Sequence, residues 1–426
     1  MPPIVKSQRG RWSVDSIRRS RSGPGALLFL ILSPLAAATV FGLAAMWPTG
    51  DLPETGIVDV AAEYREATIV SAEAVSCTGV AEDRRPDGVI PREVPCALVL
   101  ARLTDDAGVG QEIEVWAPPT VPADELTAGT RITLTRYLAT ENEPEVWAWG
   151  DFSRAIPLGL LAAAYAIVVV LVAGLRGLRS LIGLAFAFGV IALFMLPGLL
   201  EGRDPMVIGL VGSSAIMFVV LYVAHGFSYR TTTALLGTLA GLGVTAGLGA
   251  LAASAAHLSG ITTEDTYRLA QLTGRLTEGG LRGIFLTGVI LAGLGVLNDV
   301  TITQASAVWE LQQADPGASR RSLFSRGMRI GRDHIASTVY TIAFAYAGAA
   351  LPVLLLLTVY QRPLLQTLMT GEFAEEIART AVGSIGLVLA IPLTTLIAVL
   401  VATAQPVRPA RHRVPDPAGA PQGHAH

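Results

Sequence analysis

Residues Gly283–Leu311 read GIFLTGVILAGLGVLNDVTITQASAVWEL, and the fold turns on how this stretch is taken. It opens as a helix suited to hydrocarbon and then, without a break, turns polar at Asn298 and Asp299. A carboxylate at the centre of a spanning helix costs about 2.5–3.5 kcal/mol on insertion scales, so an acidic residue there is a functional candidate by default. Asp299 is the only acidic side chain inside any of the long apolar stretches of this chain.

Composition identifies the solvent as lipid. Of 426 residues, 51% are hydrophobic and 15% charged, and the mean hydropathy is +0.52, too apolar for a soluble chain of this size. The formal net charge is −3. Basic residues are scattered through short segments and not gathered on one face, so the expected partner is the bilayer and not nucleic acid.

A hydrocarbon core about 30 Å thick takes roughly 20 apolar residues per helix. Eight stretches qualify, at approximately 25–47, 155–175, 180–199, 205–224, 231–256, 282–304, 335–359 and 381–403. Lys and Arg accumulate on the cytoplasmic side of short loops. Lys6, Arg9, Arg11, Arg18, Arg19 and Arg21 precede the first span. Arg176 and Arg179, Arg230, the group Arg320–Arg332, and Arg408, Arg411 and Arg413 follow at every second loop. The alternate segments, 200–204, 257–281 and 360–380, hold Glu201, Asp204, Glu264, Asp265, Glu372, Glu375 and Glu376. Both termini are therefore expected in the cytoplasm, with the chain in the cell membrane. The competing reading of the first span, a cleaved signal peptide, meets an apolar run longer than the usual 7–15 residues and no clean cleavage site after Trp47.

Residues 48–154 have a different character. Short β-type runs, Gln111–Trp116, Arg131–Leu138 and Glu145–Trp149, are separated by Pro, Gly and Asp clusters, which predicts a small antiparallel barrel or sandwich. The topology puts this region outside the membrane, where thiols oxidise. Cys77 and Cys96, the two cysteines of the chain, are expected to form a disulfide there; the alternative is a pair of buried thiols.

The expected fold class is thus an α-helical polytopic membrane protein of about eight transmembrane helices, with a small all-β extracytoplasmic domain between helices 1 and 2. Its parts are a basic cytoplasmic tail at 1–24, transmembrane helix 1 at 25–47, the β-rich domain at 48–154, a seven-helix bundle at 155–404 and a disordered cytoplasmic tail at 405–426. Arg176–Ser180 is read as a tight hairpin between the second and third spans. In the fifth span, Gly237, Gly241, Gly243 and Gly247 form a small-residue strip for close helix packing. His225, at the cytoplasmic edge, reads as an interfacial end residue.

Asp299, Thr303, Ser306 and Glu310 share one helical stripe, and His334, Ser337, Thr338 and Thr341 share another. Counting at 1.5 Å per residue matches the depths of Asp299 and Thr338. Asp299, Thr303, Thr338 and Thr341 are accordingly the candidates for a proton relay. The other reading of the stripe is a solvated helix end at the cytoplasmic interface.

The run from Arg176 to His257, the stretches GVLNDVTITQAS and SLFSRGMRIGRDHIASTVYTIAFAYAG, and the adjoining Leu351–Pro352 resemble the YibE/F-like family of bacterial multi-span membrane proteins. The resemblance covers most of residues 110–403. It departs from the family pattern at Asn298, where the family has methionine, and at Tyr340, where it has asparagine. It implies an architecture and no settled activity. The carboxylate helix, Arg-rich segment and Ser/Thr-bearing helix are also similar to the transmembrane segments of resistance-nodulation-division exporters and SecD/SecF. That likeness implies a proton-binding role for Asp299 with Thr338 or Thr341 beside it.

No phosphate-binding loop, H-E-x-x-H motif or G-x-S-x-G elbow is present, so an enzyme is not expected, nor a cofactor or a metal site. His412, His424 and His426 lie in a Pro/Gly/Ala tail. Two functions stay open: a proton-coupled transporter or exporter of an unknown solute, alone or as a homo-oligomer, and an envelope scaffold whose outer domain binds a partner.

Overall fold

The computed structural model describes residues 24–50, 62–85, 87–105, 109–139, 144–273, 278–360 and 363–404. The basic segment before residue 24 and the tail from 405 onward, with their arginines and histidines, lie outside the described residues. The chain divides into two compact units, Glu54–Leu178 and a second made of Met1–Pro53 with Arg179–His426.

The first unit holds a five-stranded antiparallel sheet: β1 (Ala62–Thr78), β2 (Glu93–Leu103), β3 (Glu112–Ala117), β4 (Arg131–Tyr137) and β5 (Val146–Phe152), in the order β3-β2-β1-β4-β5. The three expected runs are β3, β4 and β5. Strands β1 and β2 carry no such clean signal, since β1 reads AEYREATIVSAEAVSCT and takes its place by pairing on both sides. Alternation of buried and exposed residues in β3, with Ile113, Val115 and Ala117 inward, follows the two-residue period of a pleated strand. Val99, Ala101, Ile132 and Leu134 complete the core, and Trp147, Trp149 and Phe152 pack against it. Cys77 and Cys96 are bonded, with Cα atoms 5.8 Å apart, across the β1–β2 pair. Glu63 accepts from Arg65 at 2.6 Å and from Arg136 at 3.3 Å, and Arg136 also donates to Glu145 at 2.8 Å. The Arg65 guanidinium beside Glu63 holds its carboxyl below the ordinary carboxylate value, and Arg136 does the same for Glu145.

Helices make up the rest. They are α1 (Pro24–Ala45), α2 (Ala155–Val190, continuing through a π-helical turn at Ile191–Met195 to Leu200), α3 (Pro205–His225), α4 (Tyr229–Ala255), α5 (Glu264–Thr273), α6 (Glu278–Ala314), α7 (Arg320–Ala349), α8 (Leu351–Tyr360), α9 (Leu364–Leu368) and α10 (Gly371–Thr403). Their ends obey local chemistry. Asp204 caps α3 by accepting from the Val207 N–H at 2.9 Å, with Pro205 in the first turn, and Ser228 caps α4 through Thr231 at 3.1 Å.

Three expectations change. Residues 176–180 are helical and form no hairpin loop. The break lies at Gly174, with φ 61° and ψ −141°, a conformation open to glycine, and it bends α2 until a side chain at Gly177 would strike the Val169 carbonyl. The stretch 335–359 is not one helix but the end of α7 and the whole of α8, parted at Ala350 just before Pro352. Proline lacks the N–H and clashes with the preceding turn, which accounts for the break. Finally, α10 begins at Gly371, so Glu372, Glu375 and Glu376 belong to a helix and not to a loop.

The bundle core is formed by α4, α6 and α10. Side chains of one helix sit on glycines of the next: Thr394 covers Gly237, Ala390 and Leu297 cover Gly241, and Thr245 covers Gly386. Stepping up α4 from Gly237 to Thr245 steps down α10 from Thr394 to Gly386, so these two helices run antiparallel in close contact. Of the four glycines of the expected strip, Gly237 and Gly241 lie against neighbouring side chains, while among the described residues nothing lies within 4 Å of a side chain placed at Gly243 or Gly247.

Candidate functional site

The site is built on α6, α7 and α10, and these helices are locked together at one end. Gln304 is 1% exposed. Its Nε2 donates to the Gly327 carbonyl at 2.9 Å and to Thr395 Oγ1 at 2.7 Å, joining all three helices through one amide. Gly327 and Gly331 allow α7 to come this close, since a Cβ at Gly331 would lie 2.5 Å from Ile391 and 3.2 Å from the Gln304 amide oxygen. A neighbouring tie, Thr238 to Thr301 at 2.6 Å, joins α4 to α6. Among the described residues, Asn298 Oδ1, Thr394 Oγ1, Thr233 Oγ1 and Ser213 Oγ are buried with no hydrogen-bond partner.

The other end is open. A chamber of about 210 Å³ is walled by Val289, Ala292 and Val296 of α6, Thr341, Ile342 and Ala345 of α7, and Arg379, Thr380 and Gly383 of α10. Arg379 is also in the wall of a second, polar cavity of about 540 Å³. This vestibule is lined by Thr262, Thr263 and Thr266 around the start of α5, by Ala349, Ala350 and Val353, and by Glu372, Glu375 and Glu376. Glu375 is 6% exposed and accepts from the Gly260 N–H at 2.8 Å and the Thr262 hydroxyl at 3.0 Å. Arg379 Nε pairs with Glu376 at 3.3 Å, and its guanidinium carbon lies 5.2 Å from the centre of the Phe285 ring.

The expected relay residues are distributed differently. Asp299 is exposed on the outside of α6, and among the described residues no side chain pairs with it. Thr303 donates to the Asp299 carbonyl at 2.7 Å, Thr338 to the His334 carbonyl at 2.8 Å and Thr341 to the Ser337 carbonyl at 3.2 Å, each within its own helix. The four side chains are not joined to one another in this structure. Thr341 alone of them lines the chamber.

Arg379, Glu375 and Gln304 were not singled out from sequence. For Arg379 and Glu375 the available signal was spacing: Glu372, Glu375, Glu376 and Arg379 recur at helical intervals directly before an apolar run. For Gln304 it was an amide inside a spanning pattern, where polar groups serve as ties between helices.

Among the described residues, six helices are long and apolar enough to cross a membrane: Leu28–Ala45, Ala155–Leu200, Pro205–His225, Tyr229–Ala255, Gly280–Ala314 and Gly371–Thr403. With these and the small sheet, the molecule is a multi-span membrane protein. A family model described as YibE/F-like protein matches residues 161–404, more than half of the chain, and the chain belongs to that family. No curated protein and no solved structure matches it.

Proposed function

We propose that this protein is a proton-coupled transporter or exporter, not an enzyme, and that solute passes by the opening between α6, α7 and α10. One observation carries the reading: three helices that close tightly at Gln304 part at Arg379 around a chamber and a polar vestibule that share this residue. A structural seam would close along its whole length. Eight crossings follow if α2 counts as two, divided at Gly174, and if α7 with α8 supplies one more. The termini are then cytoplasmic and the sheet extracytoplasmic.

Asp299 is the proton carrier in this scheme. It lies well inside a helix of 37 residues with no cationic partner among the described residues, and an acidic side chain within a spanning helix is a functional candidate by default. Thr303 lies one turn along α6 from it, and a rotation of α7 brings Thr338 and Thr341 into the relay. The test uses proteoliposomes with an imposed pH gradient and a pH-sensitive dye inside. Asp299→Asn is expected to abolish proton uptake while the protein elutes as the same species in size exclusion. Uptake equal to the unsubstituted protein would end the proposal.

A second reading rests on Trp116, which is 57% exposed on the sheet beside Leu98 of β2. An exposed aromatic on a sheet face fits an envelope scaffold that docks a partner. It predicts a stoichiometric partner lost on deleting residues 62–152, with Asp299→Asn innocuous.

A further inference from the structure

The geometry points to the chamber at Arg379 as a binding site for a small apolar monoanion: a short hydrocarbon tail ending in one negatively charged head. The inference rests on the reading of the α6–α7–α10 opening as a solute site, and it names the chemistry of that solute.

The walls separate by character. On the chamber side stand Val289, Ala292, Val296, Ile342 and Ala345, and Arg379 is the one charged residue among them. All three carboxylates, Glu372, Glu375 and Glu376, line the vestibule and none lines the chamber. Two of the three also have partners. Glu375 spends both oxygens on Gly260 and Thr262, and Glu376 holds Arg379 by Nε. Among the described residues no hydrogen bond engages either Nη of Arg379, and Nη1 lies close to Gly288 of α6. A guanidinium with unspent donors at the edge of an apolar space matches a carboxylate or phosphate head in a fork geometry. A cation meets no carboxylate among the chamber walls, and a neutral apolar molecule leaves the Nη donors without an acceptor. About 210 Å³ amounts to roughly seven water volumes at about 30 Å³ each, enough for a tail of about six to eight carbons.

The same chemistry comes from a free carboxylate or from the acyl end of an anionic lipid, and the experiment separates them. Full-length protein in nanodiscs of zwitterionic lipid is titrated with radiolabelled octanoate, with octanol as the uncharged competitor. Saturable binding is expected, with octanol at least tenfold weaker. Arg379→Gln should weaken binding at least tenfold, and Ala292→Phe, which fills the chamber from an exposed position, should remove it. Glu376→Gln releases the guanidinium and should retain or tighten binding. Octanoate displaced by anionic lipid in the disc assigns the site to a lipid, and octanoate retained assigns it to a free solute; both support the site. Binding unchanged in Arg379→Gln, or octanol equal to octanoate, overturns it. Octanoate binding and Asp299-dependent proton uptake are measured separately on the same protein. Proton uptake that depends on Asp299 without any octanoate binding therefore defeats this inference alone, and binding without uptake defeats the transport reading alone.

Discussion

The two ends of the α6–α7–α10 contact use the same helices and reach opposite outcomes. At Gln304 a buried amide has every donor taken, two glycines remove the side chains that would hold α7 away, and Leu323, Val308, Ala398 and Val399 fill the remaining space. At Arg379 the facing residues are too small or too few to fill the gap, and Ala292, Gly293, Ala345 and Gly383 line a void instead. The lesson is mechanical. α7 is tied most closely at its Gly327–Gly331 end, while the half that bears Thr338 and Thr341 packs through Ile335 and Ile342 beside the chamber, so a pivot about the tied end is the motion to test.

The comparison is broken most severely at Gly331. Gly331→Val places branched carbons against Ile391 and Gln304, and overpacking of this kind costs about 1–3 kcal/mol or more. Thermal unfolding in detergent should fall accordingly. Gly293→Ala, at the open end, meets only ordinary contacts at 3.7 Å and beyond, and should hold or raise the unfolding temperature.

Gln304→Leu comes next. It deletes two hydrogen bonds in a buried setting, leaving the Gly327 carbonyl without this donor, for a loss of about 1–3 kcal/mol. If the pivot is right, cysteine accessibility at Thr338 and Thr341 also changes in this variant. An unchanged labelling pattern would show that the two ends are independent.

A smaller effect divides the glycines of α4. Gly237→Ala drives a methyl into Thr394 and should destabilise by about 1 kcal/mol or more, whereas Gly243→Ala and Gly247→Ala face open space and should be neutral or stabilising by about 0.5–1 kcal/mol. Equal effects at all three positions would mean that the open face is covered in the membrane.

The smallest effect lies in the sheet. Glu63 and Glu145 have carboxyls held below the ordinary value of 4.5 by Arg65 and Arg136. Their contribution to stability is fully present above that value and is lost as pH falls through their lower folded-state values. Glu63→Gln should flatten the part of the acid-unfolding profile below about pH 4.5, with little change at neutral pH.

How far the site could be read in advance depends on what kind of signal each residue leaves. Asp299 stood out because a charge in an apolar run is visible in one dimension, yet its placement on the outer side of α6 was not, since the side a residue faces depends on which helices pack where. Arg379 and Glu375 preceded the apolar stretch of α10 and looked like loop, because hydropathy marks where hydrocarbon begins and not where a helix does. Gly174 hid for a related reason: twelve other glycines lie in helices 155–255 alone, and only the fold selects the one that leaves helical geometry.

By itself the sequence determined that this chain lives in a bilayer, where its apolar stretches fall, that a β-rich segment interrupts them, and which cysteines pair. Those properties follow from transfer free energy and local pattern, which act residue by residue. Tertiary structure alone decided which glycines are contacts, that Gln304 joins three helices, and that the gap they leave meets Arg379. Such outcomes depend on the volumes of side chains brought together from distant parts of the chain, and close packing settles them only once every neighbour is in place.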